Sequence, residues 1–111
     1  MNTPIQLDES AFHERVEAVF AGIEAALDGG GHDIDSEIGG GILTLEFDNH
    51  SKVIINRQVF NREIWVAAKS GGFHFRFDGN AWRDTRSEER LELLLARVIA
   101  EQSGIAMSIT I

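Results

Sequence analysis

Residues 33–84 break into short apolar segments, "DIDSEI", "ILTLEFD", "KVIINR", "IWVAA", "FHFRF" and "AWRD", separated by turn-forming stretches such as "GGG" (39–41), "DNHS" (48–51), "SGG" (70–72) and "DGN" (78–80). Each segment is too short for a helix, and most alternate apolar with polar residues, the period-two pattern of a strand with one covered face. The connection "QVFNRE" is less regular, but it too is short. Connections of this length join neighbouring strands antiparallel, because a parallel pair needs a crossover of a dozen or more residues. A sheet with one apolar face needs a cover, and the chain offers one at each end.

At the first end, Phe12, Val16, Val19, Phe20, Ile23 and Leu27 fall at helical spacing and form one stripe. Asp8 or Ser10 suits the start of this helix, predicted over 10–28, and Gly29 suits the position just past its end. At the other end a second stripe, Leu91, Leu94, Leu95, Val98 and Ile99, predicts a helix that begins near Ser87 and stops at Ser103-Gly104. Thr85 with Glu88, or Ser87 alone, supplies its cap, and Glu88 and Glu89 favour the first-turn dipole. The tail "IAMSITI" alternates apolar residues and reads as an ordered extension. The expected fold is α+β: a two-layer sandwich in the order α-β-β-β-β-β-β-α, with two amphipathic helices on one face of a mostly antiparallel sheet. One domain over 1–111 accommodates it, with no internal repeat.

The 111 residues contain no cysteine, which excludes disulfides, thiolate catalysis and cysteine-held metal clusters. The opening "MNTPIQLDES" has no basic stretch followed by an apolar run, and no segment approaches the ~18 apolar residues of a membrane span. A cytoplasmic protein is therefore expected. The net charge of −8 is uneven: residues 1–51 hold eleven acidic side chains and a single basic one, Arg15. Such asymmetry argues against nucleic acid as a partner and favours cations or a basic protein surface.

The acids have an order of their own. On the helical wheel Glu14, Glu17, Glu24 and Asp28 cluster on an outward flank, with His13 one turn before Glu17. In "DIDSEI", Asp33, Asp35 and Glu37 share one strand face, while Ile34, Ser36 and Ile38 share the other. A short glycine loop joins helix to strand, so two carboxylate rows, Glu17/Glu24/Asp28 and Asp33/Asp35, are expected side by side along one edge. Carboxylate oxygens suit hard cations such as Ca²⁺, Mg²⁺, Mn²⁺ and Fe³⁺, and bind Fe²⁺ less selectively. The EF-hand spacing is absent, so any binding here is weak and labile; a plain solvated acidic face is the competing reading.

Other chemistries find little support. His13, His32, His50 and His74 lack paired zinc spacing, and no G-x-S-x-G nucleophile elbow occurs. The glycine groups are turns and not phosphate loops, since none precedes Lys-Ser/Thr at a helix start. In "IWVAA", Ile64 and Val66 facing the helices would turn Trp65 outward. An outward tryptophan beside Asn56, Arg57 and Gln58 has the composition of a protein-contact surface.

Taken in order, "AFHERV", "DIDSEI", "GILTLEFDNHSKVIINRQ", "IW", "SGGFHF" and "DGNAW" resemble the bacterial frataxins, the CyaY family, over nearly the whole chain to about Gly104. The resemblance implies a two-helix layer on an antiparallel sheet and a small iron-binding protein (Fe²⁺/Fe³⁺) of iron–sulfur cluster assembly. It implies iron held weakly on an acidic ridge, carried here by Glu17, Glu24, Asp28, Asp33 and Asp35 with His13 as a helper. It further implies docking on the cysteine desulfurase and the iron–sulfur scaffold protein, with Asn56, Arg57, Gln58 and Trp65 as the corresponding sheet surface. No organic cofactor, nucleic acid or membrane partner is expected, and the metal-free protein is expected to be a monomer. Two departures stand out: the helix–strand loop Gly29-Gly30-Gly31-His32 is poor in acids, and Phe60 stands where the family often has proline. A non-enzymatic iron-binding regulator is the leading reading. The alternatives are a ferroxidase or iron-storage protein, and an acidic interaction module with no metal role.

Overall fold

The computed structural model describes residues 7–30 and 33–111. His32, in the helix–strand loop, lies outside them. Helix α1 (Glu9–Gly30) is followed by β1 (Asp35–Gly39), β2 (Ile42–Glu46), β3 (Lys52–Gln58), β4 (Glu63–Ala68), β5 (Gly71–Phe77), β6 (Trp82–Asp84) and α2 (Leu91–Ser103). The strands form one six-stranded sheet in sequence order, antiparallel throughout. This is the predicted α+β sandwich.

The helix-facing side of the sheet is set by Leu43, Leu45, Val53, Ile55, Ile64, Val66 and Phe75, and both helical stripes pack on it as one buried cluster. Burying each such side chain contributes about 1.5–3 kcal/mol, so this layer dominates the stability. Trp82 locks the start of α1 to the far strand, edge-on to Phe12 at 6.1 Å. Asp8 caps α1, its Oδ1 accepting the Ala11 N–H at 2.8 Å. The tail after Gly104 has no regular structure but is ordered against α1: Ile109 is buried, and a Cβ on Gly22 would lie 2.4 Å from the Thr110 carbonyl oxygen. Only glycine allows that approach.

Two local expectations fail for physical reasons. Helix α2 starts at Leu91, not near Ser87. Asp84 organises the intervening residues into a turn: its side chain accepts the Arg86 N–H and its carbonyl the Glu88 N–H. Glu88 then takes a φ of +64°, which no helix contains. Ser87 Oγ accepts the Glu89 N–H within this turn and Arg90 holds the N-cap position without a side-chain cap bond. The second concerns β1, which begins at Asp35 and is exposed along its whole length. Ser36 and Ile38 do sit opposite Leu45 and Leu43, on the helix side, but Ile38 is still 48% exposed. Alternation told which residues share a face, and this edge strand lies beyond the cover.

Gln102 ties the end of α2 to two hairpins. Its amide donates to Ser51 Oγ and the Lys52 carbonyl, and its Oε1 accepts the Lys69 N–H at 2.9 Å. No described helix is long and apolar enough to cross a membrane.

Candidate functional site

The predicted metal residues fall into two unlike groups. His13 and Glu17, one turn apart on α1, are engaged by Arg57 from β3: Nη1 donates to His13 Nδ1 at 2.8 Å, and Nη2 donates to the Glu17 carboxylate. Glu24 is half-buried, while Asp28, Asp33 and Asp35 are exposed. None of these four has a salt-bridge partner among the described residues. The strand register fixes which way the β1 acids face. Asp35 pairs with Glu46 and Glu37 with Thr44, which places both on the side of the sheet away from the helices. The β1 acids therefore face away from the helix layer that carries the α1 acids. Glu14 stands apart from the flank and lines a cavity of about 420 Å³ with Arg15, Phe77, Trp82 and Arg90.

Among the described residues, no three of His, Cys, Asp and Glu converge closely enough to cage a metal ion. Dispersed carboxylates of this kind suit hydrated, exchangeable cations, which keep most of their water and need one or two protein oxygens.

The outer face of the sheet is better organised. Asn56, Gln58 and Trp65 occupy it, as their register opposite Trp65, Glu63 and Asn56 requires. Arg57 does not. It sits opposite Ile64 and reaches to α1, so the expected surface of three consecutive residues is corrected to two of them; neighbours on a strand point to opposite faces. Trp65 stacks on His74 with ring centroids 4.2 Å apart and planes 7° from parallel. Its Nε1–H donates to Glu63 Oε1 at 2.8 Å, and Arg76 Nε donates to Glu63 Oε2 at 2.7 Å. Glu63 is thereby buried on a face that otherwise looks to water. Glu63, His74 and Arg76 were missed in the sequence, although a register through the "KSGG" turn pairs them (Trp65 with His74, Glu63 with Arg76).

Two ionisable groups away from both surfaces depart from their ordinary values. Asp78, in the β5–β6 turn, is lowered to about 2, chiefly because it accepts the Ala81 N–H, with Arg83 and the Asn80 N–H assisting. Arg97 is raised by its hydrogen bonds to Glu89.

This geometry can be set beside known proteins. The frataxin-like domain family matches residues 5–105. The chain belongs to the frataxin family. The iron–sulfur cluster assembly protein CyaY of Dechloromonas aromatica is 45% identical over 102 residues, covering 91% of this frataxin-like chain and 97% of its own. The frataxin of Psychromonas ingrahamii superposes with a TM-score of 0.89 at 32% identity, over 95% of this chain and all of that one (100%). A trimeric frataxin from the yeast Saccharomyces cerevisiae, complexed with ferrous iron, shares the fold at a TM-score of 0.68 and 21% identity, over 95% and 94% of the two chains.

Proposed function

We propose that this chain is a non-enzymatic protein of iron–sulfur cluster assembly that binds iron weakly along its acidic ridge and docks on the cysteine desulfurase–scaffold complex. The observation that carries the reading is the near full-length match to a CyaY protein named for cluster assembly, on a chain whose ridge keeps the open carboxylates. The ferrous complex of the yeast frataxin supports iron as the cargo. Glu24, Asp28, Asp33 and Asp35 offer it oxygen ligands without a cage, which suits a cargo that must be released. The same uncompensated charge attracts a basic partner surface and speeds encounter. The outer sheet face, with Asn56, Gln58 and Trp65, forms the second contact. Action as a monomer in the cytoplasm completes the proposal.

An anaerobic NMR titration with Fe²⁺, with Ca²⁺ as control, tests the iron half. Broadening confined to the ridge, at lower concentration for Fe²⁺ than for Ca²⁺, is expected; equal effects from both ions would reduce the ridge to charge screening. The docking half is tested by Asp33→Asn with Asp35→Asn, which should weaken desulfurase binding; raised salt should weaken docking further and narrow the gap between variant and wild type. Unchanged affinity would remove the ridge from that interface. Oxygen consumption with Fe²⁺ separates this proposal from a ferroxidase: catalytic turnover would overturn the non-enzymatic reading.

A further inference from the structure

We infer that Arg57 is a resident counter-cation that withholds His13 and Glu17 from metal and confines cation uptake to the Glu24–Asp35 part of the ridge. The inference rests on the proposed ridge and assigns its regulation to one residue. His13 and Glu17 are four positions apart on one helix face, a spacing at which an imidazole and a carboxylate can bind one ion together. What prevents this is a matter of lone pairs. A guanidinium has only donors, so His13 Nδ1 must accept from Arg57 and its lone pair is spent. The ring is then the neutral tautomer with hydrogen on Nε2, and that nitrogen faces the Glu9 carboxylate at 3.8 Å. Neither ring nitrogen has a lone pair to give a metal. Glu17 keeps lone pairs on its other oxygen, but its charge is matched by the same guanidinium, which lowers its attraction for a cation.

Arg57 is also well anchored. Its side chain is only 14% exposed, its guanidinium lies 5.6 Å from the Phe20 ring centre, and its stem runs past Gly41. Its Nε is buried without a hydrogen-bond partner, so the side chain is held by its packing and its two ends, not by a full set of bonds. Arginine keeps its charge at every working pH, so the block is permanent. A metal at His13 and Glu17 would have to sit against a fixed positive charge and break the hydrogen bond to His13 Nδ1. Glu24, Asp28, Asp33 and Asp35 face no such competitor among the described residues.

The test is anaerobic Fe²⁺ titration of three proteins by amide NMR and calorimetry: wild type, Arg57→Met, and the double variant His13→Gln with Glu17→Gln. Methionine keeps apolar contact with Phe20 while removing the charge. In the wild type, broadening should centre on Glu24–Asp35, and His13 ring nitrogens should show the Nε2–H tautomer. The double variant should bind Fe²⁺ within about twofold of wild type. Arg57→Met should gain a site at His13 and Glu17, responding at Fe²⁺ concentrations roughly tenfold below those that perturb these residues in the wild type. Wild-type broadening that begins at His13 and Glu17, or weakened binding in the double variant, would overturn the inference and leave the ridge standing. Ridge binding in Arg57→Met with nothing new at His13 and Glu17 would do the same. No ridge response in any of the three proteins would overturn the metal reading itself, and the inference with it. Should Arg57→Met not fold, the double variant, altered at positions on the outside of α1, still decides.

Discussion

Glu63 and Asp35 are both carboxylates on the outer face of one sheet, three strands apart. Glu63 is 5% exposed, receives Trp65 and Arg76 as donors and lies beneath a stacked tryptophan–histidine pair. Asp35 stands on the bare edge strand, directly opposite another acid, Glu46. The same functional group is thus a structural keystone in one place and an uncompensated charge in the other. A fixed, aromatic-rich patch suits recognition by shape, since its side chains lose little freedom on docking. A diffuse acidic edge suits attraction at a distance and labile cations.

The difference should first appear as stability. Glu63→Ala strips the acceptor from a part-buried indole N–H and from Arg76, and should cost about 2 kcal/mol in urea denaturation. It should also loosen Trp65, read as a fall in its fluorescence anisotropy. A cost below about 0.5 kcal/mol would mean that the outer face is no better fixed than the edge. His74→Ala comes next, removing the stacking partner and a 3.8 Å contact with Glu63, with an expected cost of about 1 kcal/mol. Asp35→Asn should act in the opposite direction. It relieves a directly cross-strand like-charge pair and should stabilise by about 0.2–0.5 kcal/mol at low salt, a gain that fades as salt is added. Destabilisation by Asp35→Asn would show that this carboxylate has a partner after all.

The same contrast explains what could be read in the sequence. Apolar period alone located both helices and all six strands, because burial of the Phe12–Leu27 and Leu91–Ile99 stripes on one sheet face decides this fold. Errors arise where side-chain hydrogen bonds, near or far in sequence, override adjacency and composition. Arg57 was grouped with Asn56 and Gln58 by adjacency, yet strand alternation sends it to α1, where His13 waits 44 positions away. Glu63 gave no local sign of burial, since its donors come from its own strand and from the next one across the hairpin. Ser87 and Glu88 carry the composition of a helix start, but the hydrogen bonds of Asp84 use that stretch for a turn first. The ridge acids were the easier part, because exposure and like charge need no partner to be seen.

Asp78 offers the smallest effect at neutral pH and a third kind of carboxylate, exposed yet fully bonded. Its oxygens accept the Asn80 and Ala81 N–H groups and the Arg83 guanidinium, and its pKa is lowered to about 2 from an ordinary 3.8. Between those two values the unfolded chain binds the proton and the folded chain does not, so stability must fall as pH falls through that window. The contribution is complete above about pH 4 and is lost as pH drops through about 2. Asp78→Asn keeps an acceptor for the two backbone N–H groups but cannot titrate. Urea midpoints taken from pH 4 to pH 2 should therefore decline less steeply in the variant than in the wild type, the wild type being slightly the more stable at pH 7 and the two converging near pH 2. Parallel declines would show that the turn does not hold its carboxylate in solution. Asp78 would then belong with Asp35, as a charge the fold leaves to water, and tight bonding of a carboxylate would require burial, as at Glu63.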